Sequence, residues 1–102
     1  MKRIIDAKTY NTETATHIAN ASSSCGKSDF NWWDEDLYRS PKGQYFVSGE
    51  GHAMSRWSES YGNMSGPGSG IELLTREEAI AWCERNDIKV SLVEAEFGLE
   101  AG

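Results

Sequence analysis

The clearest alternation of apolar and polar residues in this sequence falls between Asp36 and Gly51, in the stretch DLYRSPKGQYFVSGEG. Within this stretch, Pro41 presets φ for a turn and Gly43 supplies the positive φ that other residues resist. The pattern predicts a β-hairpin whose return strand runs over residues 44–48. Because many large aromatic residues lie near this stretch, we expect the hairpin to form the centre of the core.

In the return strand, successive side chains point to opposite faces of the sheet. Tyr45 and Val47 therefore share one face, and Phe46 lies on the other. Gly49 and Gly51 are expected to end the pairing.

Upstream of the hairpin, the alternation of Phe30 and Trp32 within residues 29–36 predicts a strand that leads into it. Trp33 is then expected on the face opposite to Trp32. Residues 30–48 would supply three antiparallel strands, a common way to build a small sheet with one buried face.

The N-terminal part of the chain predicts a strand region followed by a helix. Ile4 and Ile5 indicate a strand or a tight two-strand corner within the first ten residues. Thr12 can cap a helix, and the apolar spacing beyond it favours a short helix from about Glu13 to Ala21. Because threonines lower the helix propensity there, packing through Ile18 has to hold this helix.

The middle of the chain is less definite. Residues 52–61 fit a fourth strand, an irregular segment or helix-like spacing equally well. Residues 62–70, GNMSGPGSG, have the composition of a flexible surface loop. The glycines there lack the Lys-Ser/Thr pair of a phosphate-binding loop, so no such site is expected.

The C-terminal third predicts a short strand and two helices. Residues 71–74 are apolar, and Thr75 with Glu78 forms a capping box at the start of the helix that follows. A second, shorter helix is expected from about Ser91 to Phe97. The apolar arc of the first of these helices contains Ala79, Ile80, Trp82 and Cys83.

Together these elements predict a single α+β domain over residues 1–102, with a flexible loop at 62–70. We expect a small twisted antiparallel sheet of three to five strands with two to three helices packed on it. The Thr75-capped helix would lie across one face, with the predicted first helix beside it. The exposed edge of so small a sheet makes a homodimer a reasonable expectation.

Charge restricts the class of partner. Sixteen acidic against ten basic residues give a formal net charge of −6, which argues against direct binding of a nucleic-acid backbone. The favoured partner is a neutral or basic protein surface. No long apolar run follows the N-terminal Met-Lys-Arg, so we expect no membrane segment and a cytoplasmic protein.

Few residues suggest catalysis or metal binding. His17 and His52 with Cys25 and Cys83 could in principle bind zinc, yet no pair has the close spacing of structural zinc sites. Cys83 lies on the apolar arc of its helix and is expected to be a core residue. Pairs such as His52 with Glu50 could meet only in space, and nothing favours them. We therefore expect no enzyme activity, no cofactor and no metal.

A richer pattern is a group of aromatic residues bordered by acids. Tyr and Trp supply many of the strongest contacts in protein interfaces, and acids steer basic partners. At least four of the rings are expected in the core and one or two on the surface. The rings are those of Trp32, Trp33, Tyr38, Tyr45, Trp57 and Tyr61. The candidate partner-binding residues are Asp34, Glu35, Asp36, Glu50, Trp33, Trp57, Glu77, Glu84, Glu94 and Glu96.

Three of these acids, Asp34, Glu35 and Asp36, are consecutive. Because adjacent residues of a strand point to opposite faces, the three carboxylates cannot converge on one cation. A solvated strand end is the plainer interpretation of this run.

Three blocks of the sequence, MKRIIDAKTYNTETATHIA, LYRSPKGQYFVSGEG and LTREEAIAWCE, cover about half of the chain. In this order they resemble a group of short proteins carried by bacteria, phages and other mobile elements. Small acidic proteins in that setting include inhibitors of CRISPR-Cas interference, some of which occupy basic surfaces where the effector would hold nucleic acid. The resemblance brings no catalytic motif and assigns no role to any residue.

With the size and the charge, this resemblance implies a non-enzymatic inhibitor of anti-CRISPR type in the cytoplasm of the bacterial host cell. Its partner would be a basic protein surface, with a CRISPR-Cas effector as the candidate. The alternative is an interaction or adaptor module of mobile elements that binds a protein partner through the hairpin aromatics. An enzyme is a third class, for which changes at His52 or Cys25 would abolish turnover.

Overall fold

The computed structural model describes residues 1–62 and 64–99 of the chain. These residues contain strands and helices in the proportions of a small α+β fold, which confirms the predicted class. The elements in chain order are β1 Lys2–Ile5, β2 Lys8–Asn11, β3 Thr16–Ser22, β4 Trp33–Arg39, β5 Tyr45–Gly51, β6 Glu59–Tyr61, β7 Met64–Gly66, β8 Gly68–Leu74, α1 Arg76–Arg85 and α2 Val90–Phe97.

The predicted hairpin is formed by β4 and β5. Its turn is closed by hydrogen bonds from the Gly43 amide to the Ser40 carbonyl and from the Ser40 amide to the Gln44 carbonyl, each 2.9 Å. Gly43 has φ of 89°, as the turn requires. The pairing continues through Gly49 and ends at Gly51, opposite Trp33, so the return strand extends three residues beyond its predicted end at 48. Residues 30–48 contain these two strands rather than three.

The central sheet has four strands in the order β3-β4-β5-β8, and all neighbours are antiparallel. β3 occupies the region for which a helix from Glu13 to Ala21 is expected, so that prediction is wrong. Ala19 and Ala21 are buried while Asn20 and Ser22 are exposed, which is the alternation of a strand. Threonine-rich sequence is a weak helix former, and the segment instead pairs with β4 along Thr16–Ser22, with one irregularity between His17 and Ala19.

The prediction of a flexible loop at 62–70 is wrong, because much of this segment forms strands at the other edge of the sheet. Met64–Gly66 pairs with β6, and Gly68–Leu74 pairs with β5. Asn63 lies outside the described residues. Two glycines of this region leave room for Trp57 over the sheet, because a Cβ at Gly68 would stand 2.1 Å from the Trp57 carbonyl oxygen and a Cβ at Gly70 would stand 3.4 Å from its ring.

Both C-terminal helices are confirmed. In the capping box of α1, the Glu78 amide donates to Thr75 Oγ1 at 3.1 Å and the Thr75 amide donates to Glu78 Oε1 at 2.9 Å. α1 buries Ala79, Trp82 and Cys83, three members of its predicted apolar arc. α2 lies beside α1, in the position expected for the N-terminal helix.

The helices and the sheet enclose the core between them. The face of the sheet that carries Leu37 and Val47 packs against the helices, and we call it the inner face. The buried core residues are Ala19, Ala21, Leu37, Val47, Leu74, Ala79, Trp82, Cys83, Val93 and Phe97.

The opposite face of the sheet, here called the outer face, is partly covered by β1 and β2. These strands form the expected two-strand corner, joined through Asp6 and Ala7 at positive φ. The Tyr10 ring meets the edge of the Phe46 ring with centroids 5.7 Å apart, which holds the ribbon on the sheet.

The aromatic residues are distributed differently from expectation. All of the five described side chains in the predicted group are half-buried, whereas the most deeply buried rings are those of Trp82 and Phe46. The side chain of Tyr61 lies outside the part that the structure describes. Phe30 is 68% exposed and stands in a turn rather than in the expected strand. Within the described residues, neither helix is long and apolar enough to span a membrane.

Candidate functional site

Glu35 lies on the inner face of β4 and is 5% exposed. Its Oε1 accepts a hydrogen bond from the Trp82 indole at 2.8 Å. Its Oε2 accepts from the Trp57 indole at 2.8 Å and from Arg56 Nε at 2.7 Å. Arg56 also donates to Glu72 at 2.9 Å, so the buried charge is balanced and every carboxylate oxygen is bonded.

These contacts decide the ionisation of Glu35. Burial by itself raises the pKa of its carboxyl group, but hydrogen bonds from Arg56, Trp82 and Trp57, with the charge of Arg56, outweigh burial and lower the pKa below its usual value. An ionised, fully bonded carboxylate serves poorly as a general acid or base near neutral pH. Glu35 therefore holds the fold together, and its expected role as a partner contact or solvated strand end is corrected.

Trp57 belongs to the same group of side chains hydrogen-bonded around Glu35, which we call the Glu35 cluster. Its ring lies on the glycine backbone of β5 and β8, and the Arg56 guanidinium stacks over it at 4.6 Å from the ring centroid. Trp33 is half-buried against the core. Neither of the two tryptophans predicted as partner contacts is therefore a freely exposed anchor.

The outer face of the sheet presents the acids on either side of Glu35. Asp34 and Asp36 are on this face of β4, and Glu50 on β5 is the register partner of Asp34. Asn20 Nδ2 donates to Asp34 Oδ1 at 3.1 Å and to Asp36 Oδ1 at 3.0 Å. One amide group thus holds two carboxylates next to each other at the surface.

His17 closes this row at the end near the β1–β2 ribbon. Its Nε2 lies 2.9 Å from Asp36 Oδ1, and its ring contacts Tyr38 with centroids 5.2 Å apart. Asp34 and Glu50 lie further along the face, away from the ribbon that packs on Phe46. We call Asp34, Asp36 and Glu50 the acidic face.

The remaining predicted acids lie on the helix side of the molecule. Glu77, Glu84 and Glu94 are exposed there. Glu96 is engaged internally, because it accepts a hydrogen bond from the Tyr45 hydroxyl at 2.8 Å and forms an ion pair with Arg39. The predicted set is therefore divided between two opposite faces and cannot act as one flat surface.

The cysteines and histidines stay apart. Cys83 is buried in the core, as predicted, and Cys25 is a free, half-buried thiol that donates to Ser23 Oγ at 3.2 Å. His52 lies against the Trp32 ring at 5.0 Å and reaches the Lys27 carbonyl. No group of three or more His, Cys, Asp or Glu side chains among residues 1–62 and 64–99 is placed to hold a metal ion.

A cleft of about 630 Å³ opens beside the Glu35 cluster. Trp33, Met54 and the two arginines Arg56 and Arg85 contribute to its walls. The Glu35 carboxylate below the cleft is ionised and already bonded to its partners. It is therefore not a reactive acid at the surface of the cleft.

Two features of the surface were not predicted from the sequence, namely the contacts of Asn20 and the turn at Phe30. Asn20 contacts two carboxylates only because of the register between β3 and β4. One sequence alone does not reveal that register. Phe30 could have been placed in a turn, since Asp29 and Asn31 flank it and both residue types favour turns. Asp29 Oδ1 indeed accepts from the Asn31 amide at 2.7 Å.

Comparisons with models of known protein families, with curated proteins and with solved structures found no significant match to this chain.

Proposed function

We propose that the protein is a non-enzymatic inhibitor of a bacterial nucleic-acid-targeting complex, of the anti-CRISPR type, and that its acidic face binds a basic surface of that complex. The observation that supports this proposal is the arrangement of Asp34, Asp36 and Glu50 on one side of the sheet. A surface that normally holds a phosphate backbone offers Lys and Arg side chains, which these carboxylates can pair with.

The geometry favours a rigid charged surface over flexible single acids. Asp34 and Asp36 alternate along one strand, which puts their Cα atoms roughly 7 Å apart. Asn20 fixes both carboxylates, and a central strand carries them. Preorganised side chains lose little conformational entropy on binding, so more of the electrostatic attraction contributes to affinity.

The helix side offers a weaker electrostatic case. Its acids Glu77, Glu84 and Glu94 lie on two helices, with Arg76, Arg85 and Lys89 near them in the chain. Their charges are spread more widely than those of Asp34, Asp36 and Glu50, so a single basic patch would meet fewer of them at once. We therefore assign binding to the acidic face and leave the helix acids as solvent-exposed charges.

The test is inhibition of target-DNA cleavage by a panel of purified RNA-guided effector complexes. We expect inhibition of at least one effector by the native protein. Simultaneous Asp34→Asn, Asp36→Asn and Glu50→Gln should weaken inhibition by at least about tenfold, with a smaller difference in high salt.

The matched control carries Glu77→Gln, Glu84→Gln and Glu94→Gln. It removes the same number of charges from the opposite face and should inhibit like the native protein. Absence of inhibition across the panel would overturn the proposed function. Equal inhibition by the native protein and the acidic-face variant would overturn the assignment of the surface.

A further inference from the structure

A second cleft, of about 680 Å³, opens between the β1–β2 ribbon and the turn of the hairpin. The ribbon contributes Lys8 and Tyr10 to its walls, and the turn contributes Lys42. Its volume lies in the range of about 300–1,000 Å³ that is typical of small-molecule sites. The acidic face lies beyond the ribbon, because Phe46, which contacts the Tyr10 ring, separates the hairpin turn from Glu50 along β5.

The walls of this cleft are basic, although the protein as a whole has a net charge of −6. Lys8 and Lys42 are exposed, and neither forms an ion pair with another of the described residues 1–62 and 64–99. Asp6 and Glu13 are next in the chain to residues that line the cleft, but neither of them lines it. A cleft with two unpaired ammonium groups and no carboxylate in its walls attracts an anion.

Tyr10 brings a deeply placed hydrogen-bond donor to the same cleft. The residue is 6% exposed, and its ring packs against Phe46. Its hydroxyl has no hydrogen-bond partner in the part of the chain that the structure describes, where no fully buried side-chain oxygen or nitrogen lacks one. The hydroxyl therefore reaches solvent, and we place it at the floor of the cleft that Tyr10 lines. The fold leaves this donor free for a ligand or for water.

Further hydroxyl groups surround the two lysines. Ser40 Oγ accepts a hydrogen bond from the Gln44 amide at 3.0 Å, which leaves its own hydrogen free to donate. Thr9 also lines the cleft, and its hydroxyl bonds to none of the described residues. Ammonium and hydroxyl donors together match a phosphate monoester, which has three acceptor oxygens and a charge of about −1.5 to −2 at neutral pH.

We propose that this cleft binds a small molecule that carries a phosphate group. Lys8 and Lys42 neutralise the phosphate as point charges, and the Tyr10 hydroxyl donates a hydrogen bond to one of its oxygens. The cleft is larger than a phosphate ion, so the remaining space holds the organic part of the ligand. This site is independent of the proposed function, because none of its residues belongs to the acidic face.

Isothermal titration calorimetry of the full-length protein tests this site with two matched pairs of probes, AMP with adenosine and ribose 5-phosphate with ribose. At least one phosphate ester should bind about tenfold or more tightly than its dephosphorylated form. The same ester should bind more tightly than inorganic phosphate, because the cleft also contacts its organic part. Equal affinities within both pairs, or no binding of either ester, would overturn the proposal. Binding of inorganic phosphate alone would overturn the assignment to an organic ligand.

Two double variants locate the bound ester. Lys8→Gln with Lys42→Gln should weaken its binding by at least about tenfold, because the phosphate loses both positive charges. Lys27→Gln with Lys89→Gln is the matched control, since it removes the same charge from exposed lysines outside the cleft and should bind like the native protein. Equal weakening in the two variants would mean that only the net charge of the protein matters, which would overturn the site.

Tyr10→Phe tests the hydroxyl separately from the fold. This change keeps the ring on Phe46, and the hydroxyl has no partner among the described residues, so the urea midpoint should match that of the native protein. Binding of the ester should weaken by about three- to tenfold, the effect of one lost hydrogen bond. An unchanged affinity would overturn the assignment of the Tyr10 hydroxyl to the ligand.

Discussion

The indole N–H of Trp82, on α1, donates a 2.8 Å hydrogen bond to Oε1 of Glu35, on β4. The second carboxylate oxygen accepts from Trp57 and Arg56, which belong to the segment that follows β5. One buried carboxylate therefore ties a helix, the sheet and a long connection together. Such a group stabilises the fold through its partners, since each of them is left unsatisfied when it is removed.

Glu35→Ala is expected to lower the free energy of unfolding by about 3–5 kcal/mol, because it leaves two indole donors and the Nε–H of Arg56 without their acceptor. Urea unfolding followed by tryptophan fluorescence measures this change. Glu77→Ala removes an exposed acid and should change stability by less than about 0.5 kcal/mol. Similar values for the two variants would show that the carboxylate is not structural.

Acid should destabilise the native protein partly through Glu35. The pKa of Glu35 is lower in the folded state than its usual value of 4.5. The stability that the ionised carboxylate contributes is therefore complete above 4.5 and is lost as the pH falls through the lowered pKa. The urea midpoint of the native protein should therefore fall more steeply below about pH 4.5 than that of Glu35→Gln. If the urea midpoints of the two proteins fall in parallel with pH, Glu35 is not the group whose protonation destabilises the fold.

Gly49→Ala tests the packing of the Trp57 ring against the sheet. A Cβ at Gly49 would stand 2.2 Å from Trp57 Cε2, so the ring has to move and we expect a loss of about 2–3 kcal/mol. The same substitution in a Trp57→Ala background should cost much less, since the obstacle is gone. Gly26→Ala is the control, because a Cβ there meets nothing within 4 Å. Equal costs in both backgrounds would assign the effect to the strand backbone.

Thiol labelling should separate the two cysteines. Burial, with the nearby charges of Glu84 and Glu96, raises the pKa of the Cys83 thiol, and the thiolate is the reactive form. Cys25 is more accessible, so a chromogenic disulfide reagent should react rapidly with one thiol and slowly with the other. Cys25→Ser should remove the rapid phase. Two rapid phases in the native protein would mean that the core opens readily.

The elements that were predicted correctly have local signals. The hairpin turn needs Pro41 and Gly43, and α1 needs the pair Thr75 and Glu78, so a few adjacent residues are enough to specify each. The N-terminal region has no comparable signal. Its small residues, such as Ala19 and Ala21, fit both a helical and an alternating pattern, and pairing with β4 decides between them.

The acidic face was predicted only in part because it depends on register. Alternation along β4 separates Glu35 from Asp34 and Asp36, but the sequence does not tell which face the helices cover. The helices cover the Glu35 side, and two tryptophans distant in the chain complete its cluster. A charged residue in a run of acids was therefore expected at the surface and lies in the core instead.

Asn20 provides a last prediction, at the surface that we propose binds the partner. Its amide donates to Asp34 and Asp36, and Asn20→Ala leaves these two carboxylates with reduced compensation for their mutual repulsion. We expect the free energy of unfolding to fall by about 1–2 kcal/mol at low salt. The decrease should be smaller at high salt, where the repulsion is screened. Urea unfolding at two salt concentrations measures both values. Asn31→Ala is the control, since its amide serves the single carboxylate of Asp29 at 3.1 Å and its loss should depend little on salt. A salt-independent loss for Asn20→Ala would mean that the two carboxylates do not repel each other and that the acidic face carries less concentrated charge than its geometry indicates.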